Sequence, residues 1–137
     1  MRAPDIPERP PYSRAAAYQA TVALAEQYVK AHIHAPVPVT RLCRVAAIGE
    51  RALRNAFYDV HGVGPKRWML GVRLRDVRSV LTRADPGRTT VTNVATAYGF
   101  DDLGRFAAAY RKAFGESPSA TLRRTPLVEA DTSVKGL

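Results

Sequence analysis

The chain has 137 residues and one cysteine, Cys43. A single thiol closes no internal disulfide and supplies no multi-cysteine zinc site. No apolar run approaches the ~18 residues of a membrane-spanning helix. The first residues, MRAPDIPERPPYSR, lack the apolar centre of a secretory signal. These absences exclude a disulfide-stapled scaffold and a helical membrane protein, and they point to a cytoplasmic chain. Acidic residues are also short: 12 Asp and Glu stand against 21 Lys and Arg, a formal charge of +9. Such an excess favours a polyanionic partner. Nor is there a Ser/His/Asp arrangement, a phosphate-binding glycine loop or a ligand cluster. His32 and His34 lie two apart and do not share a helix face. His61, beside Gly62, reads as a helix C-terminal residue. The reading is a non-enzyme with no cofactor and no metal, and no small-molecule site in this chain.

What is present is a pattern that occurs twice. From Cys43 the spacing runs to Ile48, Leu53, Phe57, Gly62 and Pro65; from Ala95 it runs to Phe100, Phe106, Tyr110, Gly115 and Pro118. The registers agree except for one residue inserted between Phe100 and Phe106. Each copy ends in Gly-x-x-Pro, a helix stop followed by a residue suited to the next helix's first turn.

An all-α fold of about seven helices follows. Pro4, Pro7, Pro10 and Pro11 make residues 1–12 a flexible arm or linker. Ser13 offers the cap of a helix to about residue 33, with Val22, Ala25, Tyr28 and Val29 at core spacing. After Pro36 and Pro38, Thr40 is expected to cap a short helix over 41–46. A turn at Ala47-Ile48-Gly49 precedes a helix over 50–60 that buries Leu53 and Phe57. Pro65 starts a long helix to about Arg83, and Asp85-Pro86-Gly87 is a turn. In the second copy Thr92 is the expected cap of a helix over 93–98. Asp101 or Asp102 caps the helix over 103–114, and Ser117-Pro118 opens a last short one to about Arg124. The expected organisation is a first helix-turn-helix subdomain with the linker helix over 13–84, a second over 85–124, and a disordered tail at 125–137.

A short helix, a compact turn and a second helix form a helix-turn-helix, whose second helix reads the DNA major groove. The stretch Gly99-Phe100-Asp101-Asp102-Leu103, with Phe106, Tyr110 and Phe114-Gly115-Glu116-Ser117-Pro118, resembles the AraC/XylS family of bacterial transcription regulators. Upstream, Arg51, Leu53, Phe57, Gly62, Pro65 and Arg73-Leu74 fall in the same register. The resemblance covers about residues 17–124. It implies two helix-turn-helix subdomains joined by the long helix, with recognition helices entering successive major-groove segments about 34 Å apart. It also implies double-stranded DNA as partner and activation through RNA polymerase. Gly49 departs from the serine usual in the family at that cap. Arg73 stands where the family has a structural arginine, and an internal ion pair is expected there.

The base-reading candidates of the first recognition helix are Glu50, Arg51, Arg54 and Asn55. Arg suits guanine O6/N7 and Asn suits adenine N6/N7, while Glu50 either accepts from cytosine or complements the helix N-terminus. In the second helix the outward positions are Leu103, Gly104, Arg105 and Ala108, a face poor in hydrogen-bonding groups. Thr40, Arg41, Lys66, Arg67, Arg111 and Lys112 are expected to meet phosphate. Two other readings stand beside this one: a partner-binding module whose DNA face has decayed, and a basic binder without sequence preference.

Overall fold

In the computed structural model, residues 12–124 are described. The expected tail, and the expected arm up to Pro11, lie outside them. A turn of π-helix, Tyr12–Ala16, leads into α1, Ala17–Ala31. Then come α2 (Val39–Ala46), α3 (Glu50–His61), α4 (Pro65–Arg83), α5 (Val91–Ala97) and α6 (Leu103–Phe114). Residues 118–124 form α7. There is no strand among the described residues, and no helix there is long and apolar enough to cross a membrane.

The chain divides into two compact units, and the division falls inside α4, between Met69 and Leu70. It does not fall at the Asp85–Gly87 turn. The first unit holds the described residues up to Ile33 together with Val37–Met69. Its core joins Val22, Ala25 and Val29 of α1 with Leu42 of α2, Leu53, Ala56 and Phe57 of α3, and Met69 of α4. The spacing of three and four along α1 and α3 is what turns these side chains to one face. Trp68 packs against the edge of this core with its ring centroid 5.6 Å from that of Phe57. His61 closes the far side: it stacks on Trp68 at 5.4 Å, and its Nε2 lies 2.5 Å from the Glu26 carboxylate of α1.

The second unit holds His34–Pro36 and the described residues from Leu70 onward. Leu74, Val77 and Leu81 of α4 meet Val94 and Ala95 of α5, Phe106 and Tyr110 of α6, and Leu122 of α7. A polar chain, buried at Tyr110 and Thr121 and reaching the surface at Glu116 and Arg124, ties α7 down. The Tyr110 hydroxyl donates to Thr121 Oγ1 at 2.7 Å, and Thr121 donates in turn to the Glu116 carboxylate. Arg124 donates to both oxygens of that carboxylate, at 2.5 and 3.0 Å. The hydrogen bonds from Thr121 and Arg124 hold the Glu116 carboxyl below its usual range, while burial pushes the Tyr110 phenol up.

Three expected caps are displaced. Ser13 lies within the π-helical turn, and the cap position of α1 is Ala16, which makes no side-chain cap bond. Thr40 lies within α2, whose cap is the extended Pro38. The Pro38 carbonyl takes the first amides, from Arg41 at 2.9 Å and Leu42 at 3.4 Å, and proline offers no side-chain acceptor. Thr92 lies within α5. Thr90 is its cap, because its extended backbone (φ −131°, ψ 161°) turns Oγ1 onto the Asn93 amide at 3.0 Å. Asp102, not Asp101, caps α6, accepting from the Arg105 amide.

Arg73 also differs from expectation. It forms no ion pair among the described residues. Its Nη2 donates to the Ala35 carbonyl at 3.2 Å, and its guanidinium lies 5.3 Å from the Phe100 ring centroid. Burial alone lowers its pKa. A ring face and a carbonyl dipole serve here in place of a carboxylate.

Candidate nucleic-acid interface

Each unit contains one helix-turn-helix: α2 and α3 in the first, α5 and α6 in the second. The two copies of the sequence pattern fold alike at the turn. The Ile48 amide donates to the Cys43 carbonyl at 3.0 Å, and at the matching positions the Phe100 amide donates to the Ala95 carbonyl at 3.1 Å. The residue before each amide is left-handed: Ala47 at φ 58° and Gly99 at φ 85°. Alanine stands at that place in the first turn, where it is exposed. The second turn has no such room. A Cβ on Gly99 would lie 3.0 Å from Ala35 Cα, the His34 carbonyl oxygen and Pro36 Cδ alike. The chain at 34–36 is held there by His34, whose Nδ1 donates to the Ala97 carbonyl at 2.9 Å and whose ring lies over Tyr98.

These turns set the faces of α3 and α6. On α3, Leu53, Ala56 and Phe57 have no exposed surface. Glu50, Arg51, Arg54 and Asn55 are all exposed. Positions 51, 54, 55 and 58 share one helical face by spacing. Tyr58 is therefore a fourth member that sequence reasoning passed over. It is 55% exposed, and its ring lies 3.7 Å from where a Cβ on Gly64 would sit. The signal for it was its place seven residues after Arg51. Arg44, exposed on α2, is a further cation not singled out from the sequence.

On α6, Phe106 and Tyr110 are buried, and Leu103, Gly104, Arg105 and Ala108 are exposed. The only charged side chain of that set is occupied in part: Arg105 Nε lies 3.6 Å from the Asp102 carboxylate. The expected phosphate-contacting residues, Thr40, Arg41, Lys66, Arg67, Arg111 and Lys112, are all exposed. Lys66 and Arg67 stand in the first turn of α4, and Arg111 and Lys112 in the last turn of α6. Arg41 Nη1 donates to the Tyr28 hydroxyl at 2.9 Å. Cys43 is half-buried against the first core.

A family model described as a helix-turn-helix domain matches residues 42–124. The chain is 38% identical over 105 residues to the "Probable thc operon regulatory protein" of Rhodococcus erythropolis, covering 77% of this chain and 32% of that protein. It is 36% identical over 98 residues to the "XylDLEGF operon transcriptional activator" of Pseudomonas putida, covering 72% of this chain and 30% of that protein. The chain thus spans about a third of the length of these relatives. A crystal structure of a probable AraC family transcriptional regulator from Rhodopseudomonas palustris superposes with a TM-score of 0.70 at 36% identity, covering 77% of this chain and 97% of that one. A regulator with an AraC-type DNA-binding domain from Chromobacterium violaceum shares the fold, with a TM-score of 0.72 at 22% identity over 80% of this chain and 96% of that one.

Proposed function

The chain belongs to the AraC/XylS family of helix-turn-helix transcription regulators, and on that premise we propose that it reads a specific operator through α3 and activates transcription from it. The observation that carries the reading is the division of α3. Fully buried Leu53 and Phe57 fix the helix, and the opposite face offers Arg51, Arg54, Asn55 and Tyr58 together. Arg51 and Arg54 supply bidentate donors for guanine, and Asn55 matches adenine. Glu50, at the first position of α3, complements the helix N-terminus or accepts from cytosine.

The face of α6 has less to read with. Arg105 contributes a phosphate or base contact, while Leu103, Gly104 and Ala108 supply apolar contact, including with a thymine methyl. Thr40, Arg41, Lys66, Arg67, Arg111 and Lys112 grip the backbone and position the reading helices. Activation extends to this chain what the name of its Pseudomonas putida relative says of that protein; contact with RNA polymerase and a cytoplasmic location complete the proposal. The poor face of α6 favours one second reading, a module that binds a protein partner instead of DNA.

Selection of bound sequences from a random DNA pool tests these readings. The winning sequence is then titrated against scrambled DNA at several salt concentrations, with wild type and Arg54→Ala. Operator reading requires a preference of about 10³-fold or more that relaxes in the variant. Equal binding to every sequence overturns it in favour of a basic binder. No binding at low salt leaves the partner-binding module.

A further inference from the structure

Exposed arginines differ in how they are held. Arg105 lies beside a carboxylate, which orients the guanidinium and offsets its charge. Arg41 on α2 is held instead by a neutral phenol oxygen, that of Tyr28 on α1, at 2.9 Å. No carboxylate pairs with it among the described residues. A guanidinium has five N–H donors, so this bond leaves the others, and the whole charge, open to a ligand.

Tyr28 is itself held by two contacts. Its ring packs half-buried against the first core. The ring also stacks on the imidazole of His32, with centroids 4.0 Å apart and planes at 21°. His32 is pinned because its Nδ1 donates to the Tyr28 carbonyl at 2.8 Å. A facing carbonyl oxygen only accepts, so Nδ1 carries the proton. A rigid, uncharged acceptor thus points at a cation that is otherwise a long, free side chain.

We propose that Tyr28 is a positioning residue for DNA-backbone binding: its hydroxyl pre-orients the Arg41 guanidinium toward a phosphate without neutralising it. This rests on the phosphate role given to Arg41 above. Ordering a rotamer-rich side chain at an interface costs about two- to tenfold in affinity. Tyr28 removes that cost before DNA arrives.

The test is a double-mutant cycle on the full chain, with Tyr28→Phe, Arg41→Ala and the pair. The probe is a random-sequence duplex of about three helical turns, titrated over a range of salt, with thermal unfolding measured alongside. Arg41→Ala is expected to reduce the salt slope by about one. Tyr28→Phe keeps the ring and is expected to leave unfolding and the slope unchanged. It weakens binding about two- to tenfold when Arg41 is present and has no effect when Arg41 is absent. If Arg41→Ala changes neither affinity nor slope, the phosphate reading of Arg41 fails and the proposal with it. If Arg41→Ala lowers the slope but Tyr28→Phe binds as wild type, the reading stands and the positioning role is overturned. Equal weakening by Tyr28→Phe in both backgrounds also overturns it, because a general structural loss does not depend on Arg41.

Discussion

Ala47 and Gly99 hold the same left-handed place in two copies of one turn, at φ 58° and 85°, and only Gly99 is walled in by other backbone. The shared φ makes the residues equivalent in conformation, and the wall makes them unequal in tolerance.

Gly99→Ala is therefore expected to lower stability by about 2–4 kcal/mol, combining left-handed strain with a clash against residues 34–36. Ala47→Gly relieves strain but loosens the unfolded chain, and it is expected to stay within about 1 kcal/mol of wild type. Urea unfolding of both variants checks this. Similar losses in the two would contradict the assignment of the wall to one turn.

Phe57→Ala is expected to remove about 3–5 kcal/mol from the first core. Trp68 is the only tryptophan and lies beside Phe57, so its fluorescence follows that core directly. A tryptophan transition unchanged in denaturant midpoint would sink this prediction.

Tyr110→Phe keeps the ring and deletes the donor to Thr121, at an expected cost of about 1–2 kcal/mol. A neutral result in thermal or urea unfolding would mean that the polar chain through Thr121 to Glu116 does not depend on its first bond.

The depressed Glu116 carboxyl gives stability a pH dependence of defined sign. Above the unfolded value, about 4.3, the carboxylate is charged in both states and its contribution is fully present. As pH falls, the unfolded chain takes up the proton first, and the contribution is lost through the lower folded value. Glu116→Gln is expected to flatten this part of the acid unfolding profile. An unchanged acid limb in the variant would show that other carboxylates set it.

Arg105→Ala is expected to weaken binding to all sequences alike and to lower the salt slope by about one, if Arg105 meets phosphate. Arg54→Ala, by contrast, is expected to cost about 1–3 kcal/mol on the preferred site and to relax preference at one position. Binding measured on matched and mismatched duplexes separates the two. A loss confined to the matched duplex in Arg105→Ala would make it a base reader.

The sequence made legible whatever repeats or recurs locally. The anchors Cys43, Ile48, Leu53 and Phe57, and their counterparts from Ala95, place both helix pairs, and Gly62 and Gly115 end α3 and α6 in the left-handed conformation. The exposed face of α3 was legible for the same reason, apart from Tyr58, an aromatic residue whose exposure only the folded structure reveals. Caps were harder, because Thr90 and Thr92 are chemically the same and only the backbone conformation at Thr90 selects it. Long-range pairs were not legible. Nothing local in Arg73 announces the Ala35 carbonyl and the Phe100 ring, and nothing in Arg41 announces a tyrosine one helix earlier.

The small segment His34–Pro36 has a consequence for heredity. The sequence looks like a tandem duplication of one part, and a tandem duplication suggests copies that recombination can cut apart and splice elsewhere. Yet the second copy is completed by three residues encoded upstream of the first. They close over Gly99 and take the Ala97 carbonyl. A gene fragment beginning at codon 70 would carry the whole visible second repeat and still lack one wall of its turn. The exchangeable cassette is thus longer than the repeat, and a chimera spliced within α4 inherits an open notch unless the recipient supplies its own residues to fill it.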